Sequence, residues 1–368
     1  MKIALISLLM IGRASAQPID DEDALQLHGW ASQGAMLSTG NNYLAMTKRG
    51  SFEFFEAGLN VTKEIGSDLR AGVQIFAQDL GPIGNYQPIV DFAYVDYRVK
   101  PYFGVRAGHF KMPLFLYSDR LDADMTRTTV LMPQAVYDQR YRDVLAAVSG
   151  VDAYGTVELG AGGSLDYDAY VGTLFISPRG SDYDVENLAG TRVVWNTPVP
   201  CLRIGGHALY GNFHETNSAT GMVLKTDYND WTMTGGALEC ATEKLVLTAE
   251  VSRWHSNLSL DPTLMAPPID YDEWRAYAQA ELHATDRLGV AAYASAYRSY
   301  TGGANVHEDA NHQYDGAVSA RFDVTPNFLV KAEVHSIQGY GETQNALNDG
   351  AARASRWSLF LLKTTLSF

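Results

Sequence analysis

The sequence contains few cysteines, few basic residues and, after its first residues, no long apolar run. Its 368 residues include 2 Cys, 9 His and 28 Lys or Arg against 42 Asp or Glu, which gives a net charge of −14. Nucleic-acid binding depends on clustered Lys and Arg that neutralise phosphates, so we expect no nucleic-acid partner. A zinc site needs about four Cys, His or acidic ligands close together, and no such spacing occurs in the sequence. We therefore predict no metal and no cofactor.

The first sixteen residues predict export. Residues 1–16 combine an early Lys2, an apolar run and a small-residue end, which together are typical of a secretory signal peptide. A buried N-terminal helix is the alternative. Residues 17–368 then form one domain, because no linker divides them. They contain no apolar run of about 18 residues, the length that predicts a transmembrane helix, so a membrane-spanning structure would have to consist of strands.

Apolar and polar residues alternate over repeated stretches of about ten residues, the length that a tilted strand needs to cross a bilayer. Successive side chains of a strand point to opposite faces, so each stretch has one lipid-compatible face and one hydrated face. One example places Arg275, Tyr277, Gln279 and Glu281 opposite Trp274, Ala276, Ala278, Ala280 and Leu282.

About sixteen such stretches occur. Short connections with turn residues, such as Thr325-Pro326, alternate with long ones. Bacterial barrels have short periplasmic turns and long extracellular loops, so we predict an all-β fold, a closed antiparallel transmembrane β-barrel. The predicted long loops include 39–50, 111–143, 176–188, 214–229, 256–272 and 340–354, and the connection between strands 69–80 and 89–99 lies on the same side. The predicted strands are 25–38, 51–65, 69–80, 89–99, 102–110, 144–154, 165–175, 189–196, 201–213, 230–241, 245–255, 273–284, 288–300, 311–324, 327–339 and 355–368.

A soluble β-sandwich is the alternative fold, because it also consists of many short strands. A sandwich has no reason to alternate short and long connections over sixteen strands. The barrel is therefore the better prediction.

The last strand carries a closing aromatic residue. Phe360, Leu362, Leu366 and Phe368 lie on one alternating face. This pattern resembles the C-terminal signature of outer-membrane barrels, which their assembly machinery recognises. The resemblance implies a location in the outer membrane of a Gram-negative bacterium, with membrane lipids and the barrel-assembly machinery as partners.

A second resemblance covers residues 105–116, VRAGHFKMPLFL. Gly108, Phe110, Lys111, Pro113 and Leu116 match the G-x-F-K-x-P-x-x-L stretch of porins related to the phosphate-selective type. The resemblance implies a sixteen-stranded porin architecture. It does not imply phosphate selectivity, because those channels use arginine ladders and clustered lysines, whereas acidic residues lie among the few basic residues here.

The third long connection, 111–143, is the longest. Long connections without secondary structure are uncommon unless functional, and in porins the third loop folds into the barrel and narrows it. We predict that this loop folds into the pore, with loop charges facing charges on the barrel wall. The alternative is a loop outside the barrel with solvated charges. The predicted constriction residues of the loop are Lys111, Tyr117, Asp119, Arg120, Asp122, Asp124 and Arg127, and those of the pore wall are Arg70, Gln74, Arg106, Glu250, Arg275, Glu281, Arg321, Lys331 and Glu333.

The two cysteines, Cys201 and Cys240, fall at predicted periplasmic ends of neighbouring strands, and the alternation places both on the lumen side. Opposed residues of an antiparallel pair come within disulfide reach, and an exported protein meets an oxidising environment. We predict a disulfide, with two unpaired thiols as the alternative.

Sixteen strands enclose a channel rather than a packed core, which predicts passive diffusion of small hydrophilic solutes and ions. A channel selective for an anion or a sugar is one alternative, and a structural or adhesive barrel with a closed lumen is another. No enzyme and no catalytic residue is predicted, because no signature resembling outer-membrane phospholipases or proteases is evident. Barrels of this size resemble trimers, and the small outward residues Ala276, Ala278 and Ala280 would permit close contact between subunits.

Overall fold

The computed structural model describes residues 25–174, 181–217, 224–302, 308–348 and 352–368. The predicted signal peptide, residues 1–16, lies outside the described residues. Within the described ranges, no helix is long and apolar enough to cross a membrane.

Sixteen antiparallel strands close into one barrel, in which each strand pairs with its neighbours in sequence and the first pairs with the last. This confirms the predicted fold class and strand number. The strands are β1 Leu25–Ser38, β2 Phe55–Ile65, β3 Leu69–Asp79, β4 Ile89–Lys100, β5 Phe103–Lys111, β6 Ala147–Glu158, β7 Ser164–Thr173, β8 Ser181–Asn196, β9 Leu202–Asn217, β10 Leu224–Ala241, β11 Leu245–Leu260, β12 Ile269–His283, β13 Leu288–Thr301, β14 His312–Thr325, β15 Phe328–Gly339 and β16 Arg356–Ser367.

The period-two alternation of the sequence fixes which side chains enter the lumen. In β16, Phe360 and Leu362 are exposed on the outside of the barrel, whereas Leu361 and Lys363, which alternate with them, are buried inside. Successive strand residues face opposite sides of the sheet, so one face of the strand suits lipid while the other presents both apolar and charged groups to the interior.

The described parts of three predicted loops, 181–188 of loop 176–188, 214–217 and 224–229 of loop 214–229, and loop 256–272, are largely strand, which corrects the sequence interpretation. Strands β8 and β9 remain paired as far as Ser181 and Asn217, and β11 and β12 as far as Leu258 and Ile269. In these outer parts polar residues such as Asp184 and Asp272 occupy the outward face, so the lipid-compatible face disappears although the backbone hydrogen-bond ladder continues. A period-two pattern reports a difference between the two faces, not the length of the ladder.

The beginning of β6 was also predicted wrongly. The sequence interpretation started this strand at Val144, but a one-turn helix, α1 Arg142–Leu145, precedes it. The Ala146 amide donates to the Arg142 carbonyl at 2.8 Å, and the Ala146 carbonyl accepts from the Met112 amide at 3.1 Å. The helical turn carries the chain from the lumen back to the wall, which an extended segment would not do.

The two ends of the described chain close the barrel on the side of the short turns. Gly29 and Phe368 exchange two backbone hydrogen bonds, of 3.0 and 2.9 Å. The Phe368 ring lies over Gly29, where a Cβ atom would approach the ring to 2.4 Å. A glycine is therefore needed in β1 for the terminal aromatic ring to cover the seam between β1 and β16.

Cys201 and Cys240 form a disulfide between positions 39 residues apart in sequence. The bond joins the short turn between β8 and β9 to the end of β10. Cys240 shares the outward face of β10 with the exposed Leu238, while Glu239 between them is buried inside. The predicted lumen-side position of Cys240 was thus wrong, because Met233, Ala237 and Glu239 are the inward residues of this part of β10 and Cys240 lies on the other face of the same alternation.

Candidate functional site

The connection between β5 and β6, residues 112–146, lies inside the barrel; we call it the inner loop. The Leu116 amide donates to the Glu250 carboxylate of β11 at 3.0 Å. The Val130 amide donates to the Glu333 carboxylate of β15 at 2.7 Å. Because Glu250 and Glu333 face the lumen from well-separated strands, the inner loop crosses the interior of the barrel.

Two apolar clusters hold the inner loop against the wall. In one, Phe115 and Tyr137 of the loop pack in a cluster that also includes Trp254 of β11. In the other, Val130 and Leu131 belong to a cluster with residues of β1 and β16. Burial of apolar side chains is the main stabilising term of folded structure, so this part of the lumen is packed like a protein core.

A buried ionic group, the anchor cluster of Asp124, Lys331, Lys363 and Thr365, fixes the middle of the loop. The Asp124 carboxylate lies 3.1 Å from the Lys331 ammonium and 3.2 Å from the Lys363 ammonium. The Thr365 hydroxyl donates to the same carboxylate at 2.5 Å. Burial alone would raise the pKa of Asp124, but the two lysines and Arg127 hold this pKa well below its usual range. The carboxylate is therefore charged at every physiological pH.

A second ionic group, the four-charge cluster of Asp91, Lys111, Asp122 and Arg142, lies where the loop leaves β5 and returns to β6. The Lys111 ammonium is 2.6 Å from Asp91 and also contacts Asp122. The Arg142 guanidinium is 2.5 Å from Asp91 and 2.8 Å from Asp122. Each carboxylate thus pairs with both cations. Burial opposes ionisation of Asp122, yet Arg142 and Lys111 keep its pKa well below the usual range.

Two cavities meet at the four-charge cluster. A cavity of 790 Å³ on the side of the long connections is lined by Asp91 and Arg142, among others. A cavity of 600 Å³ on the side of the short turns is lined by Lys111 and Asp122, among others. The cluster therefore separates an outer from an inner space within the same barrel.

Three of the predicted wall residues, Arg70, Gln74 and Arg106, line the 600 Å³ cavity. The Gln74 amide donates to the Asp91 carboxylate at 2.6 Å. The Arg106 guanidinium lies 3.7 Å from Asp96 and stacks over the ring of Tyr94. These residues form the charged and polar wall beside the four-charge cluster.

The other predicted wall residues contact the inner loop. Arg275 is fully buried and lies 2.5 Å from Glu273 and 3.3 Å from Asp138 of the loop. Glu281 accepts from the Thr128 hydroxyl at 2.6 Å. Arg275 therefore holds the loop, whereas Glu281 both contacts the loop and lines a 350 Å³ cavity together with Arg120. The remaining members of this group, each in direct contact with the loop, are Glu250, Arg321, Lys331 and Glu333.

The predicted loop residues have different positions. Tyr117 donates to Glu239 and lies 3.0 Å from the Thr248 hydroxyl, so it is a wall contact. Asp119 is more than half exposed and lies 3.4 Å from Arg192 of β8. The remaining two are Arg120, an exposed residue that lines a 350 Å³ cavity, and Arg127, which donates to the Leu121 carbonyl at 3.1 Å.

The predicted site residues omitted four members of these clusters, namely Asp91, Arg142, Lys363 and Thr365. Asp91 is the extra residue of an irregularity in which Val90 and Phe92 pair with Ile75 and Gln74. A bulge redirects a side chain in a way that strict alternation does not predict. Lys363 faces the lumen by the same alternation that identified Lys331, so the alternation of inward and outward residues along β16 was sufficient to identify it.

The buried carboxyl group of Glu342, in the connection between β15 and β16, should make the stability of the folded protein depend on pH. Burial, Asp138 and Asp315 raise the pKa of Glu342 to about 8, although Arg140 and Arg275 oppose this. One carboxylate oxygen of Glu342 has no partner among the described residues, which suits a protonated carboxyl group. The ordinary pKa of a glutamate is about 4.5. Between this pH and pH 8, Glu342 keeps its proton in the folded protein but has lost it in the unfolded chain. Its stability should therefore fall as pH rises through this window.

The measurement is the thermal unfolding midpoint in detergent from pH 5 to 9, for the natural chain and for Glu342→Gln. We expect the midpoint of the natural chain to fall with pH more steeply than that of the variant. Equal slopes would show that Glu342 does not retain its proton.

Comparison with known proteins shows similarity in structure only. No family model matches the sequence, and no curated protein is significantly similar to it. Among solved structures, OmpF of Salmonella typhi, in complex with daunomycin, has a TM-score of 0.62 at 12% identity and covers 95% of this chain and 99% of its own. The outer membrane channel DcaP of Acinetobacter baumannii has a TM-score of 0.58 at 11% identity, covering 94% of this chain and 97% of its own. OmpT of Vibrio cholerae has a TM-score of 0.60 at 11% identity, covering 95% of this chain and 99% of its own.

The chain has the sixteen-stranded porin fold. In this porin barrel, the inner loop is the third of the connections on the side of the long loops, counted from the N-terminus. The four-charge cluster lies at the base of that loop, on the wall formed by β4 and β5.

Proposed function

We propose that this protein is an outer-membrane channel for small hydrophilic solutes and ions. The observation that carries the proposal is the pair of cavities, 790 and 600 Å³, that meet at the four-charge cluster. A barrel of about eight strands is filled by its own side chains, whereas sixteen strands leave room for an aqueous path. Selectivity in such a path depends on its width and on the charges that line it.

The test is the swelling of liposomes that contain the purified protein, with uncharged sugars of increasing size. A sharp size cutoff supports passive diffusion. Saturation with one sugar supports a substrate-selective channel, which is the second candidate. Absence of swelling together with absence of ion current in planar bilayers would contradict the proposal and favour a closed structural barrel.

The terminal Phe368 supports a role of the last strand in assembly. Its ring covers Gly29 at the seam of the barrel, and its side chain together with Phe360, Leu362 and Leu366 is exposed on the outer face. We expect Phe368→Ala to lower the amount of folded barrel in the outer membrane, because the closing aromatic residue is lost. The measurement is heat-modifiable mobility in gels of outer-membrane fractions, with Phe322→Ala, another exposed aromatic, as control. Equal amounts of both variants would contradict the assembly role.

We also propose that the barrel forms a homotrimer through the outer face of β12, β13 and β14. Small residues such as Ala276, Ala278, Ala294 and Gly316 line a groove on this face together with polar Gln338 of β15. Small residues allow close approach in a membrane, and a polar side chain in lipid is costly. One structural relative is described as a trimer form. Sedimentation in detergent tests the proposal, and a monomer mass would contradict it.

A further inference from the structure

An aromatic cavity of 350 Å³ lies above the inner loop, on the side of the long connections. Consecutive strands each contribute inward-facing rings to it, and Tyr141 of the inner loop lies at its floor. It is separate from the two cavities that meet at the four-charge cluster. The rings from the wall are Phe213 of β9, Tyr228 and Trp231 of β10, Trp254 of β11 and Tyr271 of β12.

The rings are held in fixed positions. The centroids of Phe213 and Trp231 are 4.4 Å apart at an interplanar angle of 80°. Trp254 lies edge-on to Trp231 at 6.4 Å and has the Arg275 guanidinium 3.8 Å from its ring centroid. Aromatic rings favour such edge-to-face arrangements. Trp231, Tyr228 and Tyr271 are only partly buried, so the lining presents ring surface that no other side chain covers completely.

A buried hydroxyl group lines the same cavity without a partner. Ser256 of β11 is 1% exposed, and within the described ranges its Oγ atom makes no hydrogen bond. A buried polar group without a partner is costly, and native structures contain few of them. A ligand hydroxyl in the cavity would provide the missing partner.

The charges around the cavity disfavour ionic ligands. The carboxylate of Glu273 already accepts from Arg275 at 2.5 Å and from Tyr271 at 2.5 Å, so it has no free oxygen for a cation. The Arg140 guanidinium is paired with Asp138, which it contacts at 2.9 Å through Nε, and His255 of the lining lies 3.2 Å from Asp272. The charged and ionisable side chains of the lining are thus already paired within the barrel, and ring surface and a hydroxyl group remain for a ligand.

We propose that the aromatic cavity binds a neutral pyranose of a short saccharide before it enters the channel. A pyranose has an apolar C–H face that stacks on aromatic rings and an edge of hydroxyl groups that both donate and accept hydrogen bonds. Pockets of this kind combine an aromatic lining with a few placed polar groups. The proposal rests on the channel function, because it names the solute class that the same barrel would concentrate at its outer entrance.

The test is a titration of intrinsic tryptophan fluorescence of the purified barrel in detergent with maltotriose. This readout reports binding whether or not the barrel conducts. We expect saturable quenching with maltotriose and none with sorbitol, an open-chain polyol without a ring. Trp231→Ala should raise the half-saturating concentration about tenfold, as expected for an aromatic residue that supplies much of the contact. Ser256→Ala, which removes one oxygen atom and is expected to fold, should raise it about threefold.

The matched control is Trp274→Ala, which removes a tryptophan from the opposite, outward face of β12. This variant should bind maltotriose as the natural chain does. The proposal is overturned if maltotriose causes no saturable change, if Ser256→Ala and Trp231→Ala bind as well as the control, or if phenethylammonium or benzoate binds at lower concentration than maltotriose. Failure of the channel proposal is a separate result, since it appears as absence of ion current irrespective of fluorescence.

Discussion

Replacing Asp124 by alanine is expected to be among the most damaging single substitutions in the inner loop. The substitution leaves Lys331 and Lys363 buried without their shared carboxylate, although Lys363 keeps its 2.5 Å contact with Glu56. Removal of one partner of a buried ion pair costs about 3 to 5 kcal/mol, because the remaining charge is uncompensated. We expect a lower thermal unfolding midpoint and a larger, noisier single-channel current, since the loop loses its central attachment.

The matched control for this substitution is Asp119→Ala. Asp119 is on the same loop, but it is mostly exposed and its contact with Arg192 is 3.4 Å. Exposed ion pairs contribute about 0 to 1 kcal/mol, so the control should unfold close to the natural chain. If Asp124→Ala and Asp119→Ala unfold at the same temperature, the anchor cluster does not stabilise the loop.

The second large effect is expected at the four-charge cluster. In the double variant Lys111→Met with Arg142→Gln, Asp91 and Asp122 remain as two negative groups between the cavities. At an effective dielectric constant of about 20, one unit charge attracts another at about 4 Å by about 4 kcal/mol, whereas a tenfold ratio needs only about 1.4 kcal/mol. We therefore expect the cation-to-anion permeability ratio to rise about tenfold, as measured by the reversal potential in a salt gradient.

The mirror-image variant, Asp91→Asn with Asp122→Asn, is the matched control. It keeps Lys111 and Arg142 and should shift the permeability ratio toward anions. Neither double variant introduces a larger side chain than the natural chain has, so a change in width alone would move both in the same direction. If neither variant changes the reversal potential, ions do not pass the four-charge cluster.

The architecture could be predicted from the sequence because each strand shows the alternation of apolar and polar residues within its own segment. Alternation in β12, for example, requires only neighbouring residues, and sixteen such patterns specify a barrel. Where the outward face of a strand is polar, as at Asp184 and Glu186 of β8, no lipid-compatible face marks the segment, and strand was mistaken for loop. The helical turn at Arg142–Leu145 was missed for a related reason, since only the position of the loop inside the barrel requires the chain to turn there.

The candidate site was predicted in outline but not in its pairings. The length of the inner loop indicated that it is functional. The alternation along β15 placed Lys331 and Glu333 on the lumen side. Which loop residue meets which wall residue depends on contacts between positions far apart in sequence, such as Asp124 with Lys363. Asp91 could not be found by parity at all, because it occupies an irregularity in its strand.

The inner loop divides the interior of the barrel into two unlike halves. Toward β15, β16 and β1 it packs through an apolar cluster and the buried ion pairs of Asp124, whereas toward β3 to β5 the interior keeps two cavities and the four-charge cluster. In the channel that we propose, substitutions at these two cavities would change which solutes pass, whereas substitutions at the anchor cluster would change how firmly the loop is held. Different residues of one barrel would then set its permeability and its stability.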